Sequence, residues 1–133
     1  MAKTFMEMVR EAQSAVEAIE PEDLKAKLDR GEEVLVIDVR DVIDIVEGGS
    51  IPGAVAISLG TLGYKADPSM PEGMRHEALG DFDQQIATTC FVGAISSMGA
   101  KLLQDLGYTN VTYVKGGTSG WSSAGFDIAD FEE

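Results

Sequence analysis

The sequence holds a single cysteine and a single histidine in 133 residues. One cysteine cannot close a disulfide within the chain, and no cluster has the spacing of zinc ligands. Basic residues are scarce too: 10 Lys and Arg stand against 23 Asp and Glu, a net charge of −13. Nucleic-acid binding needs cations that displace condensed counterions, so this balance argues against it. Long apolar runs are missing, and no stretch approaches the ~20 residues of a membrane-spanning helix. The opening Met1-Ala2-Lys3-Thr4-Phe5-Met6-Glu7 lacks the charged start and unbroken apolar run of a secretory leader. The expectation is a cytoplasmic protein with no metal, no cofactor, no membrane partner and no nucleic-acid partner. What is present is globular composition, 44% hydrophobic and 25% charged, in a length that suits one domain.

Hydrophobic period supplies the elements. Phe5, Val9, Ala12, Val16 and Ile19 recur at steps of three and four, which lines one face of a helix. Thr4 stands where an N-cap belongs, with Glu7 three residues on as its capping-box partner. Residues 1–20 are therefore expected to form an amphipathic helix packed on a domain of residues 21–133. Pro21 suits the first turn of a second helix running through Leu24 and Leu28. Val34-Leu35-Val36-Ile37 is β-branched and nearly continuous, the pattern of a strand buried on both faces.

A short helix is expected over 41–47, stopped by Gly48-Gly49, and a strand over 54–57. Residues 60–80 carry two Pro and four Gly and read as a long surface excursion, with a helical turn near 75–79. A third strand over 85–89 ends at Cys90, and a helix follows over 97–106 with Met98, Leu102, Leu103 and Leu106 on its apolar side. A strand over 110–114 leads through Gly116-Gly117 into a short helix carrying Trp121, ended by Gly125. Strands alternating with helices imply right-handed crossovers and a mostly parallel sheet, so the fold class is α/β.

In open parallel sheets, ligands gather at the carboxyl ends of the strands. Asp38-Val39-Arg40 lies at one such end, and Cys90-Phe91-Val92-Gly93-Ala94-Ile95-Ser96 lies at another. A cysteine just before a helix faces unpaired backbone N–H groups and the positive end of the helix dipole, a setting that favours the thiolate. Spacing alone leaves two readings open, a small buried apolar residue or a nucleophile. His76 lies in the polar excursion without a partner motif and reads as a solvated surface residue, while Trp121 reads as core.

Five motifs stand in one order: Val34-Leu-Val-Ile-Asp38-Val-Arg40, Ile51-Pro-Gly-Ala54, Cys90-x-x-Gly93-x-x-Ser96, Leu106-Gly-Tyr-x-Asn-Val111, and Val114-Lys-Gly-Gly117 followed by Trp121 and Ala124-Gly125. This series resembles the single-domain rhodanese sulfurtransferases over roughly residues 19–126. The resemblance implies a five-stranded parallel sheet with helices on both faces. It also implies that Cys90 takes a sulfane sulfur from a donor, holds it as a persulfide and passes it to a thiol or protein acceptor. The amides of Phe91, Val92, Gly93, Ala94, Ile95 and Ser96 would stabilise the sulfur's negative charge. Asp38 and Arg40 would hold the surrounding loops.

Active relatives place arginine five residues after the cysteine and often a basic or polar residue directly after it, where this chain has Ile95 and Phe91. A subgroup places a further arginine where this chain has Leu59. Activity on thiosulfate is therefore expected to be weak. The related phosphatases carry arginine six positions after the cysteine, where this chain has Ser96, so phosphatase activity is not expected. An alternative reading stays open. Ile43, Leu59, Phe82, Phe91 and Ile95 are apolar where solvated residues would be ordinary. Gathered around one rim, they would make a non-catalytic module that binds a protein partner or forms a homodimer.

Overall fold

The computed structural model describes residues 2–131. Helix α1 spans Phe5–Ala15, β1 Glu17–Ile19, α2 Pro21–Asp29, β2 Val34–Asp38, α3 Val42–Gly48 and β3 Val55–Ala56. Then come α4 Leu59–Ala66, a 3-10 turn Glu72–Met74, β4 Gln85–Thr89, α5 Ala94–Leu106, β5 Val111–Val114 and α6 Gly117–Ser123. The five strands form one parallel sheet in the order β1-β5-β4-β2-β3. Among the described residues no helix is long and apolar enough to cross a membrane.

Parallel strands need covered faces, and the side chains of β2 supply both. Ile37 joins a core with Ile86, Leu103 and Tyr108, beneath α1, α4 and α5. Val36, one residue away and pointing to the opposite face, packs with Leu24, Val114 and Trp121 beneath α2 and α6. The indole Nε1–H of Trp121 donates to the Asp127 carbonyl at 2.9 Å, so this large core side chain carries no unsatisfied donor.

Two sequence expectations change. The first helix stops at Ala15 rather than running to residue 20, although its capping box forms as expected between Thr4 and Glu7. Residues 17–19 instead pair with β5 as the edge strand β1. Val16 and Ile19 fit the helical period, yet three residues are too few to display a strand period. The unpaired backbone edge of β5 decides the outcome.

Residues 60–80 are also more ordered than a surface excursion. Gly60 and Gly63 each weaken a helix by about 1 kcal/mol, which hides α4 in the sequence. Tertiary packing overrides that cost. Leu62 and Ala66 are fully buried, and the Tyr108 hydroxyl donates to the Ala66 carbonyl at 2.8 Å at the helix end. The turn expected near 75–79 falls at Glu72–Met74, and His76 is half-buried, its Nδ1 accepting the Ala78 N–H at 3.0 Å. Because Leu62 packs against Gly99 of α5, Leu62→Ala is expected to destabilise the fold by about 2–5 kcal/mol in urea titration. A surface excursion would lose almost nothing.

Candidate active site

Strand β4 alternates its side chains between the two cores, and Cys90, the next residue after it, falls on the α5 side. The chain turns over Phe91, Val92 and Gly93 and enters α5 at Ala94. Gly93 takes φ 97°, a left-handed conformation that glycine alone adopts cheaply. That turn aims the Gly93 N–H at the Cys90 Sγ at 3.1 Å, and the Ser96 N–H follows at 3.4 Å. The thiol donates to the Ser96 hydroxyl oxygen at 3.2 Å. Of the six loop residues named from the sequence, Gly93 and Ser96 thus hold the sulfur directly.

The carbonyls on the loop's outer side are taken by α6. Thr118 N–H donates to the Cys90 carbonyl at 2.8 Å and Ser119 N–H to the Phe91 carbonyl at 2.9 Å. With the carbonyls bonded outward, the loop's amides turn inward to the sulfur. The sequence reading missed this role of the α6 N-terminus, although the Gly116-Gly117 turn marked its position.

Asp38 and Arg40 form a buried ion pair. Arg40 Nη2–H donates to Asp38 Oδ2 at 2.7 Å and to the Gly49 carbonyl at 2.7 Å, while Ser50 donates its hydroxyl to Asp38 Oδ2 at 2.7 Å. The network ties the end of β2 to the turn after α3. Its hydrogen bond to Asp38 raises the Arg40 pKa above its ordinary value; burial opposes this, and the charges of Asp38, Cys90 and Asp44 add to it.

Above Cys90 lies an open cleft of about 580 Å³. Phe91, Val92, Ala94 and Ile95 from the loop and α5 line it, together with Arg40. Its remaining wall was not foreseen: Phe5 from α1, and Asp44, Glu47 and Gly48 from α3. Phe5 marks the apolar face of α1 in the sequence, but which element that face meets is decided by the sheet order.

The single apolar rim expected from the sequence does not form. Phe91 and Ile95 border the cleft, whereas Ile43 stands free on α3 at 66% exposure and is not part of its lining. Leu59 packs inward near Gly99. Phe82 precedes β4 and so lies at the opposite end of that strand, roughly 17 Å away, its ring edge-on to Tyr108 with centroids 4.7 Å apart. Strand direction separates residues that mere apolarity grouped together.

The rhodanese-like domain family matches residues 20–124. The chain belongs to the rhodanese-like domain family. No curated protein sequence matches it. Among solved structures, it is similar to a Rhodopseudomonas palustris protein of unknown function described as a possible tyrosine phosphatase, with 29% identity, 97% of this chain and 96% of that one covered, and a TM-score of 0.88. It is also similar in fold to a human single-domain sulfurtransferase, with 21% identity, 80% of this chain and 95% of that one covered, and a TM-score of 0.69. A thiosulfate sulfurtransferase of Pseudomonas aeruginosa matches at 21% identity and a TM-score of 0.74, over 96% of this rhodanese-like chain and 23% of its own length.

Proposed function

We propose that this rhodanese-like chain is a sulfurtransferase whose Cys90 carries sulfane sulfur between a donor and a thiol or protein acceptor. The observation that carries the reading is the placement of Sγ on two inward N–H groups, from Gly93 and Ser96, at the floor of an open cleft. Oriented amides of this kind stabilise a thiolate and, after loading, the charge of a persulfide.

The cycle has two displacements. The Cys90 thiolate attacks the donor's outer sulfur; the new S–S bond forms as the donor's own bond to that sulfur breaks, and its electron pair leaves with the donor remnant. The acceptor thiolate then attacks the outer sulfur of the Cys90 persulfide, and the electron pair of the breaking bond returns to Sγ. Sulfur moves at constant oxidation level, so no outside oxidant or reductant is needed. Incubation with inorganic polysulfide is expected to add one sulfur mass to the protein, removable by dithiothreitol, and Cys90→Ser is expected to gain none. A parent chain that gains no sulfur from any sulfane donor would falsify the reading.

The phosphatase description of one structural relative is not carried over. A phosphate ester needs a guanidinium over the loop, and position 96 holds a buried serine whose hydroxyl accepts from Sγ. Hydrolysis of p-nitrophenyl phosphate is expected to stay at the buffer rate.

A second reading has one observation in its favour. Phe5, Phe91 and Val92 border the cleft at 51%, 61% and 57% exposure, an apolar face suited to a second copy of the chain. Light scattering over a concentration series tests it: association that Phe91→Ser weakens supports the interaction module, and a monomer throughout removes it.

A further inference from the structure

We propose that the cleft above Cys90 selects a dipolar aminothiol, with its ionised sulfur at the floor and its ammonium group paired with Asp44 and Glu47. The inference deepens the persulfide reading and rests on it. It names the class of sulfur compound the site takes.

The floor carries the first argument. The Arg40 side chain is 9% exposed. Its Nε and Nη2 are engaged by Asp38 and the Gly49 carbonyl, while Nη1 has no hydrogen-bond partner among the described residues. This nitrogen is not sealed in the core, since no buried polar side-chain atom lacks a partner among the described residues. The guanidinium borders the same cleft as Cys90. The positive charge of this largely buried guanidinium, which borders the cleft, suits an ionised sulfur arriving at the floor.

The wall carries the second argument. Asp44 and Glu47 stand one turn apart on α3 and both face the cleft. Among the described residues neither carboxylate meets a basic side chain within ion-pair distance, and both stand beside walls made apolar by Phe5, Phe91, Val92 and Ile95. Apolar walls strengthen Coulomb forces, so an inorganic dianion is repelled at the mouth and an ammonium is attracted. A thiolate carrying an ammonium a few bonds away satisfies both ends.

Transfer keeps its balance. The aminothiol's thiolate attacks the outer sulfur of the Cys90 persulfide, the acceptor gains that sulfur, and Sγ recovers the electron pair. The test loads Cys90 with sulfane sulfur from inorganic tetrasulfide, removes the excess, and follows loss of the added mass. Cysteamine, mercaptoethanol and mercaptopropionate serve as acceptors, with rates expressed per thiolate. The parent is expected to prefer cysteamine to mercaptopropionate, and Asp44→Asn with Glu47→Gln is expected to cut that preference by about tenfold. Salt near ~1 M should cut it similarly, because the Debye length falls to ~3 Å. Glu72→Gln, an exposed carboxylate outside the cleft, should keep the parent's preference. An equal preference in parent and double variant, with sulfur still transferred, overturns the assignment of Asp44 and Glu47 alone. A Cys90 that takes up no sulfur overturns this inference together with the persulfide reading.

Discussion

Replacing both Ile95 and Phe91 by arginine is expected to raise thiosulfate kcat/KM by about tenfold to a thousandfold, measured as thiocyanate formed from thiosulfate and cyanide. Ile95 lies in the first turn of α5 and borders the cleft, and Phe91 stands 61% exposed beside it. Neither side chain offers a donor to an oxyanion. A guanidinium at position 95 would sit over the amides of Gly93 and Ser96 and fork onto two oxygens of the donor. Each charge-assisted hydrogen bond contributes about 1.5–3 kcal/mol, so one or two suffice for the expected gain. The added positive charge also offsets Asp44 and Glu47, which line the same cleft. Transfer from a neutral sulfane donor should change far less, because no oxyanion has to be held. Equal thiosulfate rates in the parent and the double variant would show that the missing guanidinium does not limit the reaction.

Gly117→Ala is expected to damage the site more than any substitution on its surface. A Cβ at this position would lie 2.4 Å from the Cys90 carbonyl oxygen and 2.6 Å from that of Phe91. The residue also holds φ 62°, in the left-handed region, where a non-glycine residue is strained by about 1–3 kcal/mol. Relief requires α6 to draw back from the loop. The bonds from Thr118 N–H and Ser119 N–H to the loop carbonyls would then lengthen, and the inward aim of the loop amides would loosen with them. The expected result is a loss of about 2–4 kcal/mol in urea titration. Sulfur loading of Cys90 should slow by more than tenfold under conditions where the variant is still folded. Gly53→Ala is the contrasting control: it shares a positive φ of 83° but meets nothing within 4 Å, so it should lose only the stability that backbone strain costs and load sulfur at the parent rate. A Gly117→Ala protein that loads as fast as the parent would mean that α6 does not organise the loop.

Much of this protein is legible in its residues alone. Val34-Leu35-Val36-Ile37 had to be a strand with two covered faces, because consecutive side chains point to opposite sides and all four are apolar. The capping box of Thr4 and Glu7, the Gly93 turn after Cys90 and the Gly116-Gly117 turn before Trp121 are local devices, so their chemistry shows in short stretches of chain. The five motifs in register identified the family. The five-stranded parallel sheet followed.

Tertiary structure decided the rest wherever the deciding partner lies far away in the chain. Residues 17–19 became a strand because β5 offers them an unpaired edge almost a hundred residues on. Helix α4 survives its glycines because Leu62 and Ala66 are buried against α5, an energy absent from any local window. The proposed apolar rim failed because strand direction carries Phe82 to one end of the sheet and Cys90 to the other. The cleft, in turn, needs Phe5, Asp44 and Glu47 from two helices that are not neighbours in sequence. Periodicity reports which face of an element is apolar; only the order of strands in the sheet determines what that face meets, and so which charges surround Cys90.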